Sequence, residues 1–134
     1  MPIHIIDMKI YLVDDNVKFR KDLKFFLEGH LHHEVIGEAT DAIDFKRNIH
    51  YIADIVLMKF QKNILINTIS TNYCFKSIRE GNVIALSQNN EMVDFRVLQN
   101  VGFKGFVSKR NLYRDLETAI NTVASGNLFY PNKN

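Results

Sequence analysis

The sequence predicts an α/β fold, a five-stranded parallel sheet with helices on both faces. The chain has 134 residues, enough for one domain with its own core. Short apolar runs alternate with amphipathic segments, and the runs are continuous, as in parallel strands buried on both sides. A composition of 46% hydrophobic and 24% charged residues is typical of a globular protein. It excludes collagen-like, disordered and coiled-coil chains.

The five predicted strands are short runs rich in β-branched and other apolar residues, which favour buried strands. The first run stops at two adjacent acids, and the others stop near polar or charged residues. In chain order the strands are Lys9–Val13, Glu34–Ala39, Asp54–Met58, Val83–Leu86 and Gly105–Val107.

The segments between these runs have helical spacing of apolar residues and recognisable helix ends. The first begins near Asp15 and Asn16, both good N-cap residues, and stops at Gly29. The last places Leu116 and Ile120 on one inward face. The five predicted helices run from Asp15 to about Gly29, Asp41 to His50, Leu65 to Arg79, Glu91 to Asn100, and Asn111 to about Ser125.

The carboxyl ends of the strands are where a parallel α/β sheet places its site. Paired carboxylates suit Mg²⁺, although two acids are also an ordinary way to begin a helix. A serine there can hydrogen-bond an anion, a lysine can neutralise it, and Phe106 can lie at the edge of the same face. The residues following strands one, three, four and five are Asp14 and Asp15, Lys59, Ser87, and Lys109.

Four segments together resemble the receiver domains of bacterial two-component response regulators. The resemblance covers about residues 8 to 127. The beginning of the first helix, Asp15–Arg20, and the end of the last, Ala119–Gly126, resemble the NarL/FixJ subfamily. It implies one receiver domain over 1–134, a flavodoxin-like doubly wound sheet of order 2-1-3-4-5, and a helix-turn-helix DNA-binding domain that would follow Asn134. The segments are Ile10–Asp15, Asp54–Lys59, Val83–Ser87 and Gly105–Lys109.

The resemblance also implies a role for each site residue. Asp14 and Asp15 would hold Mg²⁺, and an aspartate after the third strand would accept a phosphoryl group from a histidine kinase. Ser87 and Lys109 would bind the phosphoryl oxygens, with Phe106 beside them. The acceptor position, however, holds Lys59, and an ammonium group cannot form an acyl phosphate.

The substitution predicts a pseudo-receiver that is not an enzyme, needs no cofactor and leaves the Mg²⁺ positions empty. With Lys59 and Lys109 facing Asp14 and Asp15, the formal charges sum to zero. We therefore expect the Lys59 ammonium to lie against one or both acids; the alternative is that it extends into solvent. Two other functions stay open: phosphorylation of a substitute acid, and a stand-alone protein-interaction domain.

The resemblance predicts partners as well. These are a second copy, bound through the face formed by the fourth predicted helix, fifth strand and fifth predicted helix, and a histidine kinase or other signalling protein. DNA would be reached only through the output domain. A net charge of +2, apolar runs of four or five residues, no visible signal peptide and a single cysteine, Cys74, predict a cytoplasmic protein without a membrane span.

Two groups of residues have competing interpretations. His30, His32 and His33 could bind a metal, but no framing cysteine or acid accompanies them, which favours a solvated turn. Four phenylalanines are assigned to the core, with the alternative that one or two are exposed for a partner. They are Phe19, Phe25, Phe26 and Phe95.

Overall fold

The described residues form a parallel sheet of five strands, as the sequence pattern predicts, in the order β2-β1-β3-β4-β5, as the family resemblance implies. The structure is a computed structural model that describes residues 7–47, 53–60, 81–88 and 94–131. The third predicted helix, 65–79, lies outside the described residues, so the fourth and fifth predicted helices are here α3 and α4. The elements are β1 Lys9–Val13, α1 Val17–Gly29, β2 Glu34–Ala39, α2 Ala42–Arg47, β3 Ile55–Phe60, β4 Val83–Ser87, α3 Phe95–Val101, β5 Gly105–Ser108, a 3₁₀ turn Lys109–Asn111, and α4 Leu112–Ala124.

Helices cover both faces of the sheet, and successive side chains of each strand therefore enter different cores. In β1, Tyr11 and Val13 join the core that contains Phe45 of α2 and Leu98 of α3. Ile10 and Leu12 join the opposite core, with residues of α1 and α4. Because the strands are buried on both faces of the sheet, their sequences are continuous apolar runs.

Several element ends differ from the predicted ones. β3 continues to Phe60, so Lys59 lies within the strand, paired in register with Leu86. The predicted start of the fourth predicted helix, Glu91, lies outside the described residues. The described helix begins at Phe95, where the Asp94 carboxylate accepts a hydrogen bond from the Arg96 N–H and caps it. The helix ends at Val101, one residue beyond the predicted Asn100, because the next residue, Gly102, has a φ of 118° and caps it.

The histidines do not all lie in a solvated turn, and that expectation is wrong for His33. Its side chain is buried, and its Nδ1 accepts a hydrogen bond of 3.1 Å from the Met8 N–H. The imidazole lies where β1 and β2 begin, and its burial lowers the pKa of His33. His30 and His32 are exposed, and no group of three metal-ligating side chains occurs among the described residues.

Within the described ranges, no helix is long and apolar enough to cross a membrane.

Candidate functional site

The predicted site residues converge at one edge of the sheet. β1 and β3 are neighbours, with Val13 opposite Met58, which confirms the expected adjacency of their carboxyl ends. β4 follows β3, and Ser87 lies between Phe60 on one side and Ser108 on the other. The loops after β1 and β5 therefore bring acids and lysines to the same edge.

Asp14 is the buried acid of the site, with 2% of its surface exposed. Its Oδ2 accepts a hydrogen bond of 2.8 Å from Lys109 Nζ, and its Oδ1 accepts one of 2.9 Å from the Asn16 N–H. Its own N–H donates to the Ala39 carbonyl at 3.0 Å. Both carboxylate oxygens are thus bonded to protein groups, which offsets the cost of burying the charge.

Asp15 is the exposed acid and pairs with the other lysine. Lys59 Nζ lies 2.7 Å from Asp15 Oδ1, with side-chain exposures of 18% and 67% respectively. The hydrogen bond from Lys59 lowers the pKa of Asp15. The expectation that Lys59 lies against the acids is confirmed for Asp15, whereas Asp14 pairs with Lys109. The alternative in which Lys59 extends into solvent is wrong.

The Lys109 ammonium contacts both a carboxylate and an aromatic ring. Besides Asp14, its Nζ lies 3.9 Å from the centre of the Phe19 ring, a cation–π geometry. The predicted core position of Phe19 agrees with the structure, because Phe19 packs against the core on the α1 side, and its ring also covers this ammonium.

Arg20 belongs to the site and was not singled out from the sequence. Its guanidinium donates to the Asp14 carbonyl, and its Nε donates to Glu38 Oε1 at 2.9 Å. It therefore ties the end of β1 to the end of β2. A basic residue one turn into the helix that follows two acids was the available signal.

Ser87 and Phe106 lie at this end of the sheet, both buried. Ser87 Oγ donates to the Gln88 carbonyl at 2.8 Å. Phe106 pairs in register with Ala85, and its ring packs against Phe95 with centroids 5.2 Å apart. The structure therefore brings all six predicted residues to this end of the sheet, with Phe106 two residues before the end of β5 and packed into the core.

As arranged, these donors do not fit Mg²⁺. That ion requires near-octahedral oxygen ligands and gives up its water reluctantly. Asp14 has both oxygens engaged, Asp15 accepts a hydrogen bond from an ammonium, and the side chain that β3 contributes beside them is a lysine, Lys59. The two ammonium groups supply the positive charge that the acids need.

The chain's sequence matches no protein-family model and no curated protein. Solved structures do match its fold. The receiver domain of RcsB from Salmonella enterica serovar Typhimurium, with phosphomimetic BeF₃⁻, has a TM-score of 0.72 at 21% identity and covers 95% of each chain. The non-phosphorylated receiver domain of Escherichia coli RcsB gives 0.74 at 22%, covering 95% of this chain and 100% of that one. A LuxR-family response regulator from an Aurantimonas species gives 0.77 at 19%, covering 92% and 89%.

The chain therefore shares the fold of these response-regulator receiver domains. The observed strand order agrees with the flavodoxin-like sheet that the sequence resemblance implies.

Proposed function

We propose that this chain is an atypical receiver domain, a cytoplasmic signalling module that acts through protein contacts without accepting a phosphoryl group. The observation that carries the proposal is the Lys59–Asp15 pair of 2.7 Å, because it puts an ammonium where a receiver needs a carboxylate nucleophile. The module is not an enzyme and uses no cofactor.

The chemistry of the site supports this proposal. A protonated amine has no lone pair with which to attack phosphorus, and Asp14 is buried with both oxygens bonded. Asp54 lies at the other end of the sheet, where its Oδ2 accepts from the Lys9 N–H at 2.8 Å. Lys59 and Lys109 then keep the acids in place without a metal ion.

Phosphorylation of a substitute acid is the competing function, and Asp15 is the acid it would use. Its side chain is 67% exposed, whereas that of Asp14 is 2% exposed. In this reading, Lys59 would neutralise the new phosphoryl group.

Intact-mass measurement after incubation with acetyl phosphate and Mg²⁺ separates the two functions. We expect no added phosphoryl mass on the natural chain and none on Asp15→Asn. Lys59→Asp restores a carboxylate and serves as the positive control for the reagents. A stoichiometric, acid-labile adduct that disappears in Asp15→Asn would replace our proposal with the competing one.

The protein contacts are proposed to include a second copy, a histidine kinase or other signalling protein, and DNA through an output domain. One structural relative supports this: an RcsB structure of 22% identity holds two dimers bound to two parallel DNAs. On this chain the pairing face would be α3, β5 and α4, and transcription would be the regulated process.

Sedimentation of two matched valine variants tests the pairing face. Val97 lies on α3 and is 38% exposed, whereas Val17 lies on α1 and is 65% exposed. Val97→Glu should shift the chain to monomer, and Val17→Glu should leave it paired. If Val97→Glu stays paired and Val17→Glu becomes monomeric, the interface lies on α1 instead.

A stand-alone interaction domain is favoured by one feature. A groove of about 370 Å³ between α1 and α4 is lined by one acid, Asp22, and by four aromatic side chains, Phe25, Phe26, His30 and Tyr113. Phe25 is 74% exposed, so the alternative that one phenylalanine serves a partner fits the structure better than its assignment to the core. Reading the gene beyond codon 134 distinguishes the two, because a regulator continues into a DNA-binding domain.

A further inference from the structure

The groove between α1 and α4 combines exposed aromatic rings with a carboxylate. Asp22, Phe26 and His30 follow one another at every fourth residue and therefore lie along one face of α1 and its C-cap. Phe25 beside them is 74% exposed, and Tyr113 of α4, which lines the other wall, is 54% exposed. Contiguous exposed rings of this kind commonly mark a binding site rather than ordinary surface.

The rings of the groove meet at a steep angle. The centroids of Phe26 and Tyr113 lie 4.7 Å apart, and their planes are inclined at 69°. A molecule placed in the angle of such a pair contacts the faces of both rings. The His30 ring continues the Phe26 wall, at 5.4 Å and an inclination of 33°. Ring faces carry the negative part of the aromatic quadrupole, so this corner attracts a cation.

The carboxylate of Asp22 adds a full negative charge to the lining. Its Oδ2 accepts a hydrogen bond of 2.9 Å from Lys18 Nζ. The pKa of Lys18 is raised, chiefly by this hydrogen bond and also by Tyr113, so its ammonium lies within electrostatic reach of two lining residues. The side chains of the pair are 84% and 53% exposed. Because such exposed pairs are weak, another cation can take the place of the lysine.

We propose that this groove binds a small organic cation of the quaternary ammonium class, such as choline, with the methylated nitrogen between the Phe26 and Tyr113 rings and Asp22 as its counter-ion. The groove volume of about 370 Å³ lies in the range of small-molecule sites, roughly 300–1,000 Å³. A quaternary nitrogen donates no hydrogen bond, so ring faces and one carboxylate satisfy it, whereas a hard metal ion requires several oxygen ligands. Binding there involves none of the charged pairs at the strand ends.

An NMR titration of the natural chain with choline tests the proposal. We expect saturable shifts of the Phe26 and Tyr113 ring signals, at constant ionic strength. The control ligand is the neutral carbon analogue of choline, in which a tert-butyl group replaces the trimethylammonium group. It has the same shape without the charge and should bind about fivefold more weakly or worse. Equal affinity for the two ligands, or no saturable shift with choline, overturns the proposal.

Variants of the lining separate the ring from the carboxylate. Tyr113→Leu keeps an apolar side chain and should weaken choline binding about two- to fivefold, whereas Tyr113→Phe keeps the ring and should bind as the natural chain does. Asp22→Asn should also weaken binding. Its control is Asp115→Asn, which removes the same charge from the residue after Arg114, outside the lining. Affinity that is unchanged in both Tyr113→Leu and Asp22→Asn contradicts the proposed site.

Removal of the competing lysine supplies a result that general damage to the fold cannot produce. Lys18→Met should strengthen choline binding, because Asp22 loses its built-in cation. Lys21→Met removes the same charge from an exposed position of α1 and should have the smaller effect. Equal strengthening by the two variants would assign the effect to net charge and overturn the site. Co-sedimentation with vesicles of phosphatidylcholine, which carry the same headgroup, would overturn the proposal of a free ligand.

Discussion

The Lys59 ammonium and the Asp15 carboxylate lie 2.7 Å apart across the ends of two neighbouring strands. A second pair, Lys109 and Asp14 at 2.8 Å, lies beside it. The two pairs differ in burial, since Asp15 is 67% exposed and Asp14 is 2% exposed. Their removal should therefore have different consequences.

Lys59→Met removes the charge of the exposed pair and keeps most of the side-chain stem. We expect a small fall in melting temperature, equivalent to less than about 1 kcal/mol, because water and salt screen an exposed pair. Mg²⁺ should restore part of the loss by taking the place of the ammonium. Lys18→Met is the control, because Lys18 also pairs with one aspartate, but its partner is Asp22, one turn along α1, and not an acid of the site. An unchanged melting temperature in Lys59→Met would show that Lys59 does not stabilise the fold and only replaces the phosphoacceptor carboxylate.

Lys109→Met should destabilise the domain more than Lys59→Met. It leaves the Asp14 carboxylate buried without its ammonium partner, with the hydrogen bond from the Asn16 N–H still in place, and removing one member of a buried pair costs about 3 kcal/mol. The measurement is urea unfolding of both variants at pH 7. The double variant Asp14→Asn with Lys109→Met should recover part of the loss, because no uncompensated carboxylate remains. Equal destabilisation by the two lysine variants would show that burial does not separate the pairs.

Mg²⁺ should bind weakly or not at all to the natural chain. Each acid is already paired with an ammonium, so the metal must displace two built-in cations and lacks a third carboxylate. Calorimetry of Lys59→Asp should show tighter binding, because the substitution adds a ligand and removes a competing charge. Sub-millimolar binding to the natural chain that Asp15→Ala abolishes would contradict this.

The stability of the domain should fall as the pH is lowered below about 6.5, the ordinary His value, because of His33. Burial lowers the folded-state pKa of this residue, so the unfolded chain binds the proton more readily. Its contribution is fully present above the unfolded pKa and is lost as the pH falls through the folded pKa. Protonation also removes the acceptor of the Met8 N–H.

Melting temperatures of the natural chain and His33→Asn between pH 7.5 and pH 5 measure this effect, and the asparagine keeps an acceptor without a titration in this range. The natural chain should lose more stability than the variant over the same interval. His32→Asn is the control, since His32 is exposed. If the melting temperatures of the natural chain and His33→Asn fall equally with pH, His33 is not the cause of the acid destabilisation.

The fold could be predicted from the sequence because its signals are local. Continuous apolar runs, helical spacing and end residues such as Asn16 and Gly102 report burial and helix ends within a few neighbours. The site residues could be predicted too, because carboxyl ends of parallel strands share one edge. Strand ends were less well predicted: β3 runs past Lys59, since pairing with β4 continues to Phe60.

Other features of the molecule were decided only by the tertiary structure. Which lysine meets which acid depends on side-chain reach and on the burial of Asp14, neither of which a strand pattern contains. The same holds for Arg20, which bonds to residues at the ends of β1 and β2, and for His33, which is buried where β1 and β2 begin. The contact of Tyr130 with Phe103 links residues 27 positions apart. Such contacts arise where elements pack, and their free energy depends on distance and burial in space rather than on neighbours in sequence.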